Sequence, residues 1–268
     1  MRRNKLIVES SAACKVGTRS LPLADWTAVV QHLAPQFDFV VSPLSFVEVL
    51  RSLARGKDQY IIPNLKRVEA LSPIDPLHPA FLEMPGQFIL REVLGRGPSV
   101  EDTYQPPQMA ADMVTLLGAR RVTKGLRDWL NEVTSKHQSG IDNFTENHDS
   151  MRKVGQAVPT PENWARAKFK RLGFSDDEIR RLAAGVDAAY EYAVWVRREL
   201  NNPSYLPSNE TTAWFDYQQL FYLYDPTIHI LYWDNDLMQR SGSSSQRSRL
   251  LKLPDVLAKA SPVPAQTA

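Results

Sequence analysis

The stretch TIHILYWDNDLMQR, residues 227–240, ends a run of apolar and β-branched residues in two aspartates, Asp234 and Asp236. Short runs of this composition are typical of central strands, so residues 228–233 are predicted to form one. In open α/β sheets, ligands bind just outside the carboxyl ends of the strands. Both acids are therefore placed to hold a metal or a substrate. Taken alone, Asp234 is better explained as the N-cap of a following helix, a position that aspartate favours.

Composition narrows the class of protein. The chain has 268 residues, 43% hydrophobic and 23% charged, which fits one large α/β domain or a domain with a substantial insertion. A net charge of +2 permits a polyanionic partner without requiring one. The single cysteine, Cys14, excludes an intrachain disulfide and a multi-cysteine zinc site. No apolar stretch approaches membrane-spanning length, and the first apolar run stops at Glu9, so we expect a cytoplasmic protein without a membrane partner.

A second junction of strand and acid lies near the start of the chain. Residues 5–8, KLIV, are predicted to form a short strand, and Glu9 follows directly before two serines. One interpretation is a solvated loop residue. The other places Glu9 at the carboxyl edge of the sheet, where Asp234 also lies.

The segment FDFVVSPLSFVEVLR, residues 37–51, predicts a strand followed by a helix. Ser42 is a favoured N-cap and Pro43 suits the first helical position, so the helix is expected to run to about residue 56. Glu48 lies off the apolar stripe of this helix. Spacing alone therefore favours a solvated side chain or one paired with basic residues of the same helix.

Residues 57–207 have a different texture and are predicted to be mostly helical. Prolines break the first part into short pieces. One long helix is expected over residues 109–136, a polar loop over 139–159, and two further helices over 160–172 and 176–200. The last of these begins with a capping-box pattern, SDDE.

Asp216 lies on the apolar side of a helix predicted for residues 211–223, with Gln219 one turn later. A charged residue on an apolar face is rarely buried without a partner. A salt bridge and a shared acidic or metal site are equally supported. Beyond the predicted strand at 228–233, residues 241–249 read as a flexible cationic loop, and residues 250–253 as a last short strand.

Four segments in this order carry a resemblance: LIVESSAA, VVSPLSFVEVLR, FDYQQLFYL and LYWDNDLM. Together they resemble the PIN-domain nucleases. The resemblance implies an α/β, three-layer fold with a central parallel sheet flanked by helices. It divides the chain into a PIN-like core of residues 1–56 and 208–260, a mostly helical insertion of residues 57–207, and a disordered tail of residues 261–268.

The resemblance also implies a function. A PIN-like site would hold Mg²⁺ or Mn²⁺ through five acids, namely Glu9, Glu48, Asp216, Asp234 and Asp236, with Glu48, Asp216 and Asp234 as the catalytic set. The implied activity is a metal-dependent endonuclease that cuts RNA, with DNA as the other candidate substrate. Glu9 departs from the family pattern, which has aspartate there. This departure supports the alternative of a PIN-like scaffold that has lost catalysis and binds RNA or protein.

Two basic clusters are candidates for contact with nucleic acid, although a charge-rich helix is usually just a solvated face. Their members are Arg120, Arg121 and Lys124 in one, and Lys168, Lys170 and Arg171 in the other. Trp164 and Phe169 lie among the second cluster, where they would either stack on bases or belong to the core.

A third hypothesis is a DNA-binding regulator built on the helices at 160–172 and 176–200, although the second helix is long for a recognition helix. A regulatory protein partner and a homo-oligomer both stay open.

Overall fold

The structure is a computed structural model that describes residues 3–54, 56–95, 104–146, 158–169, 173–200, 202, 204, 213–241 and 244–260. Lys170 and Arg171, two of the predicted nucleic-acid contacts, lie outside these residues, as does the predicted tail at 261–268.

A four-stranded parallel sheet forms the centre of the fold. Its strands are β1 (Asn4–Val8), β2 (Phe37–Val40), β3 (Ile228–Tyr232) and β4 (Leu250–Lys252), in the order β2-β1-β3-β4. Leu6 of β1 lies opposite Phe39 on one side and His229 on the other. The chain therefore moves outward in opposite directions from the central pair β1 and β3, which creates a switch point between their carboxyl ends.

Helices cover both faces of this sheet. They are α1 (Ser10–Ala13), α2 (Leu23–Leu33), α3 (Pro43–Ala54), α4 (Ile61–Leu71), α5 (Pro85–Leu94), α6 (Pro106–Ala119), α7 (Lys124–Glu146), α8 (Pro161–Phe169), α9 (Asp176–Gly185), α10 (Asp187–Glu199), α11 (Ala213–Gln219), α12 (Asp236–Arg240) and α13 (Leu253–Ala260). The predicted α/β class and the parallel sheet flanked by helices are confirmed.

The two faces have separate apolar cores, because side chains alternate along each strand. Leu6 and Val8 point into one core, and Ile7 points into the other. Helices from residues 57–207 supply both: Met113 packs in the first core and Leu182 in the second. This segment therefore lies against the sheet that carries the acids. Within the described ranges, no helix is long and apolar enough to cross a membrane.

Local signals place several elements correctly. The helix predicted from the stripe of residues 23–33 is α2. Ser42 caps α3, because its Oγ accepts a hydrogen bond from the backbone of Leu44 at 3.2 Å. The capping box at the start of α9 is also present, with Ser175 and Glu178 each bonding the other's backbone.

The single helix predicted over residues 109–136 is wrong, because α6 ends at Ala119 and α7 begins at Lys124. Arg120 adopts a left-handed conformation with φ 51°, which stops α6. Thr123 then starts α7 by accepting from the Leu126 backbone at 3.0 Å, while its own hydroxyl donates to buried Asp112 at 2.6 Å. The loop predicted from residue 139 is wrong up to Glu146, where α7 ends.

Two further predictions fail for tertiary reasons. The helix predicted over 176–200 is broken at Val186, whose φ of −119° is not helical. The loop predicted at 241–249 contains a turn of 3₁₀ helix, Ser245–Arg249, around a buried glutamine. Gln246 accepts from the Ala188 backbone at 3.0 Å and donates to the Leu223 carbonyl at 3.1 Å, so this segment is an ordered part of the second core.

Candidate metal centre

The site lies at the switch point, where the ends of β1 and β3 are tied together. The Glu9 backbone donates to the Leu231 carbonyl at 2.9 Å. Beyond the strands, the Trp233 backbone donates to Ser11 Oγ at 3.1 Å. These contacts hold the residues after β1 beside the residues after β3, as expected for chemistry at the carboxyl edge of a parallel sheet.

Glu9 is 3% exposed and caps α1. Its Oε2 accepts from the backbone of Ser11 at 2.7 Å and also from the Ser11 hydroxyl. Its Oε1 accepts from Ser10 Oγ at 2.5 Å. The solvated-loop interpretation of Glu9 is therefore wrong, because the short α1 turns the carboxylate inward.

Glu48 lies next to Glu9, although helical spacing favours a solvated position. Ser10 Oγ is 2.8 Å from Glu48 Oε2, so this one hydroxyl bridges both glutamates. The solvated interpretation is wrong because α3 is buried on nearly every side, including both neighbours of Glu48, Val47 and Val49. Glu48 keeps only partial exposure, because a helix buried on nearly every side has no open solvent face.

Asp216 completes the cluster from α11, which packs against α3. Ser45 Oγ donates to Gln219 Oε1 at 3.3 Å. Ser45 lies one turn before Glu48 in α3, and Gln219 lies one turn after Asp216 in α11. One carboxylate oxygen each from Glu9, Glu48 and Asp216 lies within 4.8 Å of the others. Three acids widely separated in sequence therefore converge on one point.

The pKa of each of these acids is raised by burial, and the charges of neighbouring acids add to the increase. For Glu48 the main cause is burial, followed by the charges of Glu9 and Asp216, and its pKa lies well above the usual range. Burial also raises the pKa of Asp216, with further increases from Glu9 and Asp234. Ser10 has one proton to donate to two carboxylates, so the cluster gains from an added proton or cation.

Asp234 and Asp236 lie at the mouth of this cluster and are both exposed. The Asp236 backbone donates to the Asp234 carboxylate, so Asp234 bonds the first residue of α12. The N-cap position itself is taken by Asn235, one residue later than predicted. The charge of Asp234 contributes to the raised pKa values of Glu9 and Asp216. Asp236 is turned to Arg240, with Oδ2 2.9 Å from the guanidinium.

Two cations beside the acids were not predicted. Arg240 is 6% exposed and follows Asp236 by four residues, a spacing that typically pairs opposite charges on a helix. That spacing is a signal in the sequence. Lys15 lies with Nζ 5.6 Å from the centroid of the Trp233 ring, a contact between segments that local sequence does not reveal.

The predicted basic residues fall into two places. Arg120, Arg121 and Lys124 are exposed at the junction of α6 and α7. Lys168 is exposed in α8 and lies over aromatic rings of α11. Base stacking by the two aromatic residues of α8 is not possible as they stand, because Trp164 and Phe169 are 7% and 6% exposed and pack around Phe221.

Comparisons with protein-family models, curated proteins and solved structures find no match to this chain. The interpretation of the site therefore depends on its own chemistry. Its donors are all carboxylate oxygens, the ligands that Mg²⁺, Mn²⁺ and Ca²⁺ prefer, so the residues present fit a hard divalent cation.

Proposed function

We propose that this chain is a metal-dependent endonuclease with a PIN-like α/β fold, and that it hydrolyses phosphodiester bonds in RNA, with DNA as the other substrate. The observation that carries the proposal is the convergence of Glu9, Glu48 and Asp216 oxygens within 4.8 Å at the carboxyl edge of a parallel sheet. Buried carboxylates that repel one another need a cation to ionise together.

The metal would be Mg²⁺ or Mn²⁺, held by Glu9, Glu48 and Asp216, with Asp234 as a further ligand at the mouth. When bound, such a cation would supply a water of lowered pKa and positive charge to stabilise the leaving oxygen of a phosphodiester. An acidic pocket without such an ion would repel a polyanion. Mg²⁺ or Mn²⁺ would thus be needed for a phosphate to enter the acidic pocket as well as for hydrolysis, whereas contacts outside the pocket would not depend on it.

The residues of the chain have distinct roles in this proposal. Ser10 and Ser11 fix the carboxylates of Glu9 and Glu48 by direct hydrogen bonds. Asp234 is more exposed than Glu9, Glu48 and Asp216, so it is positioned to meet a substrate from solvent. Asp236 acts through Arg240, with which it forms an ion pair, and supports the site rather than entering it.

One observation favours a second candidate, a scaffold of the same fold without catalysis. Both oxygens of Glu9 already accept hydrogen bonds from Ser10 and Ser11. A carboxylate whose oxygens already accept hydrogen bonds at a helix N-terminus binds a metal less readily. If the scaffold is the true function, Glu9→Asp should create metal-dependent cleavage that the wild type lacks.

The decisive experiment is cleavage of mixed RNA and mixed single-stranded DNA with Mg²⁺ or Mn²⁺. Asp216→Asn should abolish the cleavage that the wild type shows. Asp38→Asn is the matched control, because Asp38 is exposed on β2 and aligned with Lys5 near the amino end of β1. Cleavage that survives Asp216→Asn, or that needs no divalent ion, would refute the proposal. Silence of the wild type together with a silent Glu9→Asp variant would do the same.

A further inference from the structure

A line of aromatic rings runs across α11 and α10 beside the acidic cluster. Trp214 and Tyr217, one turn apart in α11, have centroids separated by 6.0 Å. Tyr217 is 5.7 Å from Tyr192 of α10, and Tyr192 is 6.2 Å from Trp195 one turn later. Four rings from two helices thus form one continuous series.

A cation lies at each end of this series. At the outer end, Lys168 Nζ is 4.8 Å from the Trp214 centroid and 5.0 Å from that of Tyr217. At the inner end, the Arg240 guanidinium is 4.6 Å from the Trp195 centroid and donates to the Tyr192 hydroxyl at 2.9 Å. Arg240 also pairs with Asp236, and its charge acts to lower the pKa of Asp216, so the inner end lies beside the cluster.

We call these four rings and two cations the aromatic track. It has a buried part that supports it and an exposed part that can contact a ligand. Its members are Trp214, Tyr217, Tyr192, Trp195, Lys168 and Arg240. Tyr192 and Tyr217 are 1% and 9% exposed and form the buried support. Trp214 is 41% exposed, Trp195 is partly exposed, and Lys168 is exposed. Burial of part of the side chain lowers the pKa of Lys168, whose Nζ lies over the rings of Trp214 and Tyr217.

We propose that the aromatic track binds single-stranded nucleic acid and leads it to the acidic cluster, with bases stacked on Trp214 and Trp195 and a phosphate contacted by Lys168. Exposed rings next to cations are what an unpaired strand requires, because it offers base faces and regularly spaced negative charges. A duplex conceals its base faces, so the track would discriminate against it. This inference rests on the proposed function, for which it names the form of the substrate.

The test is binding of a short labelled single-stranded RNA of mixed sequence, measured by fluorescence anisotropy in EDTA so that no cleavage occurs. Trp214→Leu should weaken binding about 5- to 100-fold, the usual effect of losing one stacked base. Trp214→Phe should keep most of the affinity, because a ring remains at that position. Tyr60→Leu is the matched control, since Tyr60 is an aromatic residue of equal exposure, 42%, in a different part of the chain.

Lys168→Met tests the charged part of the track. It should reduce the slope of log affinity against log salt by about 0.7, the value for one phosphate contact on a single strand. Lys259→Met removes the same charge from the exposed last turn of α13 and should leave the slope unchanged. Equal slopes for the two variants would show general attraction to charge and would overturn the role of Lys168.

Two substrates complete the test. A strand of equal length with abasic positions should bind the wild type about as weakly as the intact strand binds Trp214→Leu. Unchanged affinity for either the abasic strand or a duplex would overturn the track. The nuclease proposal is tested separately, by the cleavage assay with Asp216→Asn. If binding depends on Trp214 but no cleavage occurs, the track is supported and the nuclease proposal is not. If cleavage occurs but binding does not depend on Trp214, the nuclease proposal is supported and the track is not.

Discussion

Ser45 Oγ donates to Gln219 Oε1 at 3.3 Å, and this contact sets the relative position of Glu48 and Asp216. The next pair along the two helices, Glu48 and Asp216, has carboxylate oxygens within 4.8 Å. The pairs advance in opposite directions along α3 and α11, so the helices run antiparallel at this point. Residues one turn apart share a helix face, so a bond at the first pair determines the spacing at the second.

Breaking this contact should separate stability from metal binding. Ser45→Ala leaves buried Gln219 Oε1 without its donor and should lower the free energy of unfolding by about 1–3 kcal/mol. The double variant Ser45→Ala/Gln219→Leu removes both polar groups and should be nearly neutral. Gln219 Nε2 has no hydrogen-bond partner among the described residues, which adds to this expectation. Urea unfolding measures both changes.

The same two variants should bind Mn²⁺ about 10- to 100-fold more weakly, the usual effect of losing a group that orients metal ligands. Isothermal titration calorimetry measures this directly. The double variant is the informative one, because its stability should match that of the wild type. If it keeps the wild-type affinity for Mn²⁺, the contact between Ser45 and Gln219 serves packing only.

Stability in EDTA should fall as the pH rises. Burial and mutual repulsion raise the pKa values of Glu9, Glu48 and Asp216, so the folded protein retains protons that the unfolded chain has released. Stability falls with pH wherever the folded state binds more protons. The loss should begin near the carboxyl pKa of the unfolded chain, about 4, and continue up to the raised values.

Thermal unfolding from about pH 5 to about pH 8 measures this loss, a range that starts just above ordinary carboxyl pKa values. A saturating divalent cation should restore stability more at the upper end, because the ionised cluster binds it better. Glu48→Gln should flatten the pH dependence, raise the melting temperature in EDTA and abolish the increase on adding Mn²⁺. An unchanged pH dependence in Glu48→Gln would contradict the buried cluster, because the other titrating groups, His229 included, are common to both proteins.

Local sequence was enough to predict the four strands and the acids that follow two of them, whereas the parallel sheet was an implication of the family resemblance. A strand followed by an acid is visible at Glu9 and at Asp234, and the parallel topology then brings such junctions to one edge. Helical spacing was misleading at Glu48. An argument from spacing assumes that one face of the helix meets solvent, and α3 is buried on nearly every side. What Glu48 contacts depends on Ser10 and Asp216, and no local pattern encodes distances to them.

The point at which one helix ends and the next begins within residues 57–207 also could not be predicted from local sequence. The left-handed residue at the break is Arg120, where Gly or Asn is usual, and the turn after it is held by a hydrogen bond from Thr123 to Asp112, a residue of the preceding helix. Gln246 belongs to a serine-rich segment that reads as flexible, yet its carboxamide satisfies backbone groups of two other segments. In both cases a long-range polar contact outweighs local propensity.

Arg240 should matter more for stability than an ordinary surface cation. It is 6% exposed, stacks on Trp195, and bonds Tyr192 and Asp236 with separate nitrogens. Arg240→Met should cost about 2–4 kcal/mol of unfolding free energy, from the lost charged hydrogen bonds and the ring contact. Arg240→Lys should recover only part, because an ammonium lacks the planar fork.

Urea unfolding of these variants should be compared with Arg3→Met, which removes an exposed arginine paired with exposed Asp38 and should cost less than about 1 kcal/mol. Equal costs at positions 3 and 240 would show that the buried contacts of Arg240 do not stabilise the fold.

Gly185 should be intolerant of alanine, because a Cβ at this position would overlap the ring of Tyr224. The Gly185 carbonyl also accepts from Gln246 Nε2 at 2.5 Å, so displacing α9 would disturb the turn that Gln246 organises. Crowding of this kind in a packed core typically costs about 1–3 kcal/mol.

Gly140 is the matched control: it lies in α7, is exposed, and has open space where an added methyl group would lie. Gly140→Ala should stabilise the protein by up to about 1 kcal/mol, since alanine favours a helix interior. Opposite signs for the two substitutions in urea unfolding would establish the close packing of α9 on Tyr224, whereas a stabilising Gly185→Ala would show that the ring moves aside.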